Sequence, residues 1–219
     1  MADLLRVEFH CHTIYSKDSL TRVEDLLAVC HERQIDRVVI TDHNTLDGAL
    51  EAKGLAPEMV IIGEEIMTQE GELLAAFVKE AVPGGLPAQE VIAILRDQGA
   101  FISVSHPFDR FRPGHWPMLE LVKIVNRVDA VEVFNSRCFP PFFNLRAAVF
   151  AREHGLLGTV GSDAHTLYEL GRATMLLPPF EDVESLRQVF PLAEVENSLS
   201  DPWVRVCSRY AVLKKMLGG

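Results

Sequence analysis

Cysteine is scarce in this chain: Cys11, Cys30, Cys138 and Cys207 are the four in 219 residues, and no two of them fall in a CxxC spacing. A zinc knuckle and a disulfide framework are therefore poorly supported, and reduced thiols in a cytoplasmic protein are the expectation. No apolar run approaches the ~18 residues that a membrane helix needs. Met1–Leu5 is too short for a removable signal peptide, because the first candidate ligand already stands at position 10. Positive charge is the minority sign, with 21 Lys and Arg against 31 Asp and Glu and a formal net charge of −10. That balance argues against broad affinity for nucleic acid. No Lys/Arg-rich stripe interleaved with aromatics marks an extended single-strand track either. Internal repeats, low-complexity tracts and linkers are missing, so the reading is one domain over residues 1–219.

What the chain has is a series of short apolar, β-branched runs: Leu5–Phe9, Arg37–Ile40, Met59–Ile62, Leu73–Val78, Phe101–Val104, Ala130–Phe134, Leu157–Val160 and Ala173–Leu177. Helical patterns lie between most of them. Leu20–Arg33 opens on Thr21-x-x-Glu24, which resembles a capping box. Pro87 and Gly99 bracket another helix, Pro117–Asn126 is a third, and Phe143–His154 is closed by Gly155. Strands alternating with helices predict an α/β fold with a mostly parallel sheet. Beyond Pro178-Pro179 a tail from about residue 180 to 219 carries a short helix, Val183–Phe190, and then Trp203–Leu217. The latter has an apolar stripe of Trp203, Val206, Cys207, Tyr210, Leu213 and Leu217, expected to pack on the body of the protein, with a homo-oligomer contact as the alternative.

Nine side chains able to hold a metal follow these runs: His10, His12, Asp18, His43, Glu65, Glu72, His106, Asp163 and His165. Ligands placed after six or seven different strands meet only if the strands close into a ring, so a barrel is preferred over an open sheet. In a strand, residues i and i+2 project to the same side. His10 and His12 can thus grip one ion while Cys11 points away, and Asp163 with His165 repeats the spacing. Imidazole and carboxylate donors suit zinc, iron or manganese. A closed structural zinc uses about four ligands, so a set this large predicts a catalytic site with two or three divalent ions.

These segments resemble the PHP (polymerase and histidinol phosphatase) domain family, in its stand-alone metal-dependent phosphoesterase branch. The matching stretches are Phe9-His10-Cys11-His12-Thr13 with Ser16-Lys17-Asp18-Ser19, Ile40-Thr41-Asp42-His43-Asn44, Gly63-Glu64-Glu65-Ile66 and Gly71-Glu72-Leu73-Leu74. Ser105-His106-Pro107-Phe108-Asp109-Arg110, Val131-Glu132-Val133-Phe134-Asn135 and Gly161-Ser162-Asp163-Ala164-His165 complete the series, with Gly171-Arg172 just beyond, so that the motifs span residues 9–172. The resemblance implies a distorted (β/α)7 TIM-like barrel with a C-terminal helical extension. It implies that His10, His12, Glu65 and Asp163 hold one ion, that Glu65 bridges to a second held with His106 and Glu72, and that Asp18, His43 and His165 hold a third. Many relatives have histidine where this chain has Glu72.

Asp18, Glu65, Glu72 and Asp163 contribute four negative charges; two divalent ions would cancel them and three would leave about +2, an excess that suits a phosphoester. The expected function is therefore hydrolysis of a small phosphomonoester or nucleotide, or an oligonucleotide end, by attack of a metal-bridging hydroxide. His12 and His165 are candidates to handle the leaving-group proton. Arg110 and Arg172 are the candidate phosphate clamps, with Arg137 behind them. Asp109 and Asn135 are expected to shape the loops, and Asp42 to orient His43 or a neighbouring ligand. His31 and His154 read as solvent-facing, His115 as a loop residue. Phe139, Phe142 and Phe143 read as packing rather than base-stacking residues. Two other classes are weighed: an amidohydrolase-like hydrolase of a non-phosphate substrate, which no strand-end lysine supports, and a metal-stabilised interaction module.

Overall fold

The computed structural model describes residues 4–218. Met1–Asp3, the head of the segment weighed as a signal peptide, and Gly219 lie outside the described residues. Among the described residues the eight apolar runs become β1 (Leu5–Cys11), β2 (Arg37–Ile40), β3 (Val60–Met67), β4 (Glu72–Ala76), β5 (Phe101–Val104), β6 (Ala130–Asn135), β7 (Leu157–Gly161) and β8 (Ala173–Leu177), and a further strand, β9 (Glu194–Asn197), joins them. Seven α-helices accompany them: α1 (Val23–Glu32), α2 (Asp47–Leu55), α3 (Ala88–Asp97), α4 (Met118–Ile124), α5 (Phe142–Glu153), α6 (Val183–Val189) and α7 (Val204–Met216).

The sheet runs β7-β6-β5-β4-β3-β2-β1-β8-β9 and rolls into a nearly closed barrel, the distorted (β/α)7 form expected. Closure comes at one end of β1. Its first residues, Leu5–Val7, pair antiparallel with β8, whereas its last residues meet the segment after β7. There the Asp163 amide donates to the His10 carbonyl and the His12 amide to that of Ala164, both at 2.8 Å. The seam therefore closes at the ligand-bearing end, where two ligand segments are stitched side by side.

Among β1–β7, one strand breaks the parallel order. β4 follows β3 as an antiparallel hairpin, with Met67 opposite Glu72, and no helix intervenes. Glu72 thus reaches the mouth from the start of its strand, not from the end. The other end of the barrel is plugged by Phe190, stacked on Phe101 at 5.2 Å and edge-on to Phe9 at 5.8 Å.

Three details depart from the sequence reading. The Thr21 capping box does not form: Arg22 precedes α1 with no side-chain cap, and the Thr21 hydroxyl donates to the His165 carbonyl at 3.2 Å. α2 and β9 go unpredicted because α2 carries Gly48 and Gly54, poor helix formers, and β9 is exposed along its whole length with no alternating apolar face. The α7 stripe is the third. Trp203, Val206, Tyr210, Leu213 and Leu217 face outward, while Val204 and Ala211 are buried. Polar side chains on the inner face have partners there. Arg137 donates to the Val204 carbonyl and the Ser208 hydroxyl, Arg205 to the Arg137 carbonyl, and Lys215 to the carbonyls of Ile14 and Ser16.

Candidate metal centre

His10, in β1, and His12, one residue past its end, are fully buried and turn their Nε2 atoms to the same side. Each ring is oriented through Nδ1. That of His10 is 2.8 Å from the Glu132 carboxylate, and that of His12 is 3.1 Å from the Ser16 hydroxyl, which itself donates to Asp42. With Nδ1–H committed to these acceptors, both Nε2 lone pairs point inward. Asp42 therefore orients His12 through Ser16, besides accepting from the Thr13 amide and hydroxyl.

The inward atoms converge. His10 Nε2 lies 3.1 Å from His12 Nε2, 3.4 Å from Glu65 Oε2 and 3.6 Å from Asp163 Oδ1. His12 Nε2 lies 3.3 Å from each of the same two oxygens. A tetrahedral ion with ligands near 2.05 Å has ligand–ligand edges of about 3.3 Å, so these separations match a metal-sized hole. Asp163 Oδ1 is buried with no hydrogen-bond partner among the described residues, and so is Asp18 Oδ1. Buried carboxylate oxygens left unpaired are costly, and a cation is the partner they fit.

Glu65 straddles two subsites. Its Oε2 faces His10 and His12 and lies 3.1 Å from His43 Nδ1, while its Oε1 is 3.2 Å from His106 Nε2 and accepts from the Ser105 hydroxyl. Glu72 Oε2 is 3.5 Å from His106 Nε2 and its Oε1 3.9 Å from His43 Nδ1. Asp18 sits between His43 Nε2 at 3.5 Å and His165 Nε2 at 3.2 Å. The nine ligands inferred from the sequence are thus brought into one cluster.

Close approach and strain are concentrated here. A side chain on Gly161 would put its Cβ 2.4 Å from the His10 Cβ, and one on Gly114 would meet the Glu72 carboxylate at 1.9 Å. Asp163 adopts φ +53°, a conformation costly for a residue with a Cβ, and holds it through its amide bond to His10.

Without ions the cluster divides its protons unevenly. Burial alone would depress His10, but Asp163, Glu65 and Glu132 together hold it well above the usual imidazole range. His43 rises to about 9, because Glu65, Asp18 and Glu72 outweigh its burial. Burial, reinforced by His165 and His43, takes His12 down to about 4. His165 is lowered by burial and by Arg137. Glu65 and Asp163 stay ionised against their burial, Glu65 chiefly through His10 and Asp163 chiefly through Arg112. Burial and the Glu65 charge raise Glu72.

The cluster opens into a cavity of ≈ 300 Å³ reached by Asp18, His43, Glu72, His106 and His165, with the cations Lys17, Arg112, Arg137, Arg205 and Arg209 around it. His12 is absent from that lining. Arg112 pairs with Asp163 and Asp109, and lies 3.4 Å from Asn135. Arg137 pairs with Glu169 at 2.9 Å and lies 2.7 Å from His165 Nδ1, which also sits 2.8 Å from the Asp163 carbonyl.

The two arginines favoured from sequence lie elsewhere. Arg110 is exposed and lines a separate groove with His115, Trp116 and Arg146. Arg172 stacks on Tyr168 at 4.4 Å and donates to the Leu199 carbonyl. The structure puts Arg112, two positions on, where Arg110 was expected, because Asp109–Arg112 forms a tight turn. Phe143 is core, Phe139 and Phe142 are exposed, and Phe111 is the aromatic that lines the cavity. Asp109 and Asn135 support the cluster as expected: Asn135 donates to Glu132 and Asp163 at 3.0 Å, and Asp109 pairs with Arg112 and Arg205. Glu132, quoted in the motifs but given no role, proves to be the anchor of His10. Arg205 and Arg209 had no local signal, since only the fold carries α7 to the mouth.

Known proteins resemble this chain in sequence and in fold. A model of the PHP domain matches residues 8–110, and a model described as PHP-associated matches residues 141–190. Protein MJ0417 of Methanocaldococcus jannaschii is 36% identical over 172 residues, covering 77% of this chain and 69% of that protein. Protein MJ1587 of the same organism is 34% identical over 145 residues, covering 60% and 82%. PsfC from Pseudomonas syringae superposes with a TM-score of 0.71 at 18% identity, covering 98% of this chain and all of that one. A Bifidobacterium adolescentis protein proposed to be a metal-dependent phosphoesterase gives 0.61 at 20%, covering 84% and 94%. An amidohydrolase from Chromobacterium violaceum with bound sulfate gives 0.58 at 13%, covering 93% and 96%. These solved structures share the fold. The matches, over the segments that supply the ligand cluster, show that the chain belongs to the PHP domain family.

Proposed function

We propose that this protein is a metal-dependent phosphoesterase that hydrolyses a small phosphomonoester or a nucleotide. The observation that carries the proposal is the convergence of His10, His12, Glu65 and Asp163 at 3.1–3.6 Å with their imidazole protons already committed elsewhere. Donor atoms packed this closely call for cations, a proton on His10 in the metal-free protein and divalent ions in its place. The donor set fits two or three divalent ions: one at that point, a second held by Glu65, His106 and Glu72, and a third by Asp18, His43 and His165. Such ions supply Lewis-acid polarisation of a phosphoryl oxygen and neutralise the charge that develops on it.

The chain's own residues do the remaining work. Glu132, Ser16 with Asp42, and Arg112 with Asn135 fix the orientation of His10, His12 and Asp163 before substrate arrives. Arg137 and Arg205 are held at the mouth by Glu169 and Asp109, so a phosphate enters a field that is positive and rigid. With two ions bound and the third position empty, His165 lines the cavity with Nε2 free of metal and is the better placed of the two histidines to handle a leaving-group proton, since His12 lies beneath the ligands. The exposed Phe111 ring at the rim offers a base a flat partner, which favours nucleotides among the monoesters. No described helix is long and apolar enough to cross a membrane.

The test is phosphate release from nucleotides and simple phosphomonoesters with Mn, Zn or Fe added, against a chelator control. Metal-dependent release is expected. Silence from protein shown to carry metal would move the assignment to another bond.

A further inference from the structure

Five cations line the cavity, and they are not equivalent. Arg112, Arg137 and Arg205 each face a protein carboxylate: Asp163 and Asp109, Glu169, and Asp109 again. Lys17 and Arg209 line the same cavity, and among the described residues neither side chain has a hydrogen-bond or ion-pair partner. In a chain of net charge −10, two uncompensated cations at one rim are an excess the fold itself does not use.

They are also fixed relative to each other. Lys17 belongs to the loop after β1, and Arg209 to α7. The Lys215 ammonium on α7 donates to the carbonyls of Ile14 and Ser16, tying the helix to Lys17's own loop. Arg137 fastens the same helix about two to three turns earlier, at Val204 and Ser208. The cross-links hold the two backbones in a fixed relation at one rim, so the exposed side chains have only their own freedom to lose when they close on an anion. Arg209 lies beyond both family matches, residues 8–110 and 141–190, so this wall of the mouth is not part of the shared ligand signature.

We infer that Lys17 and Arg209 recognise a second anionic group, carboxylate or phosphate, on a substrate whose scissile phosphate lies at the metal centre. This rests on the phosphoesterase reading. It makes the preferred substrate a phosphomonoester with a further negative charge a few bonds away, and Lys17 and Arg209 determinants of that preference. The two residues differ in what they offer. Arg209 can grip a carboxylate or phosphate with two parallel N–H bonds, whereas Lys17 supplies a point charge.

The experiment compares substrates on one three-carbon skeleton with the metal-loaded full chain: propyl phosphate, 3-phosphonooxypropanoate and propane-1,3-diyl bisphosphate. The charged pair is expected to exceed propyl phosphate by roughly tenfold or more in kcat/KM, chiefly through KM. The Lys17→Ala/Arg209→Ala variant should shrink that ratio to within about threefold, Arg209→Lys should restore part of it, and salt should erode it. A carboxylate-only preference or a phosphate-only preference tells which group the pair takes. Both residues are exposed, so the variants test recognition and not folding.

A binding arm keeps the inference independent of turnover. Calorimetric titration with the non-hydrolysable propylphosphonate, 3-phosphonopropanoate and propane-1,3-diyldiphosphonate should give roughly tenfold tighter wild-type binding of at least one of the latter two than of propylphosphonate, lost in the double variant. If no ester is hydrolysed yet this difference appears, the phosphoesterase reading fails and the recognition pair stands. Propylphosphonate binding as tightly as both 3-phosphonopropanoate and propane-1,3-diyldiphosphonate, or none of the three binding, overturns the inference, as does a preference that survives the double substitution.

Discussion

Arg112 donates to Oδ2 of Asp163 and leaves Oδ1 turned into the ligand cluster with no hydrogen-bond partner among the described residues. The carboxylate is thereby held ionised and in one orientation although it is buried. Removing the guanidinium should free the carboxylate to rotate and leave its charge less compensated. Arg112→Ala is expected to weaken metal binding by about 10–100-fold, the range for losing an orienting partner. Competition with a chromophoric chelator measures it, and an unchanged affinity would remove Arg112 from the site.

The ligands themselves should be less forgiving. Asp163→Ala removes a donor from the four-atom convergence, and His43→Ala one that faces Glu65, Glu72 and Asp18. Each is expected to abolish turnover, by roughly 10³-fold or more if the ion supplies several kcal/mol of transition-state stabilisation. Far-ultraviolet circular dichroism should show the fold retained. Wild-type phosphate release from folded, metal-loaded Asp163→Ala protein would sink the assignment.

Arg110 and Arg172 provide the contrast. Neither lines the cavity: Arg110 is exposed on a separate groove, and Arg172 bonds the Leu199 carbonyl and stacks on Tyr168. Arg110→Ala and Arg172→Ala are expected to change kcat/KM by less than about threefold, since surface substitutions away from a site carry small effects. A loss of a hundredfold in either would restore it as a phosphate clamp.

The contrast marks where the sequence stops being legible. Most of the candidate ligands could be read because they follow an apolar run, and runs and i, i+2 spacings are local signals. Glu72 was found by motif, but its route to the mouth was not, since nothing local shows that β4 runs backwards. Arg112 could not be told from Arg110 without the turn that begins at Asp109. Arg205 and Arg209 were invisible for a deeper reason: they lie on a helix whose apolar stripe suggested the opposite face would point inward. Burial of that stripe is the usual outcome, but here the hydrogen bonds of Arg137, Arg205 and Lys215 fix the helix the other way round. The barrel itself was legible because ligand placement and strand–helix alternation both called for it.

Gly161 should prove a structural keystone of the seam. A methyl group there meets the His10 Cβ at 2.4 Å and a Glu132 oxygen at 2.9 Å, and neither neighbour is free to retreat. Overpacking of this kind costs about 1–3 kcal/mol. Gly161→Ala is expected to lower Tm and, by displacing His10, to lower metal affinity as well. Thermal unfolding with and without metal checks both, and an unchanged Tm would mean that β1 and β7 can separate at no cost.

The protons of the metal-free cluster make a pH prediction of definite sign. His43 has a folded pKa of about 9 against an ordinary 6.5: burial opposes the charge, and Glu65, Asp18 and Glu72 more than offset it. His10 moves in the same direction. A group with a raised folded pKa stabilises the fold fully below its unfolded value, and that contribution is lost as pH climbs through the folded one. The metal-free protein should therefore lose Tm between about pH 6.5 and 9. Glu8 and Glu64, which burial raises to about 7, also favour the protonated fold, but their effect is essentially complete near neutrality. The upper part of the window thus belongs to the imidazoles. Divalent ions take over the role of those protons, so the metal-loaded protein should show a flatter profile there, and metal binding should release protons and tighten with pH up to about 9. Calorimetry in buffers of different ionisation enthalpy counts the protons released. A metal-free Tm that rises from pH 7 to 9, or metal binding that releases no protons at pH 7, would contradict the cluster's electrostatics.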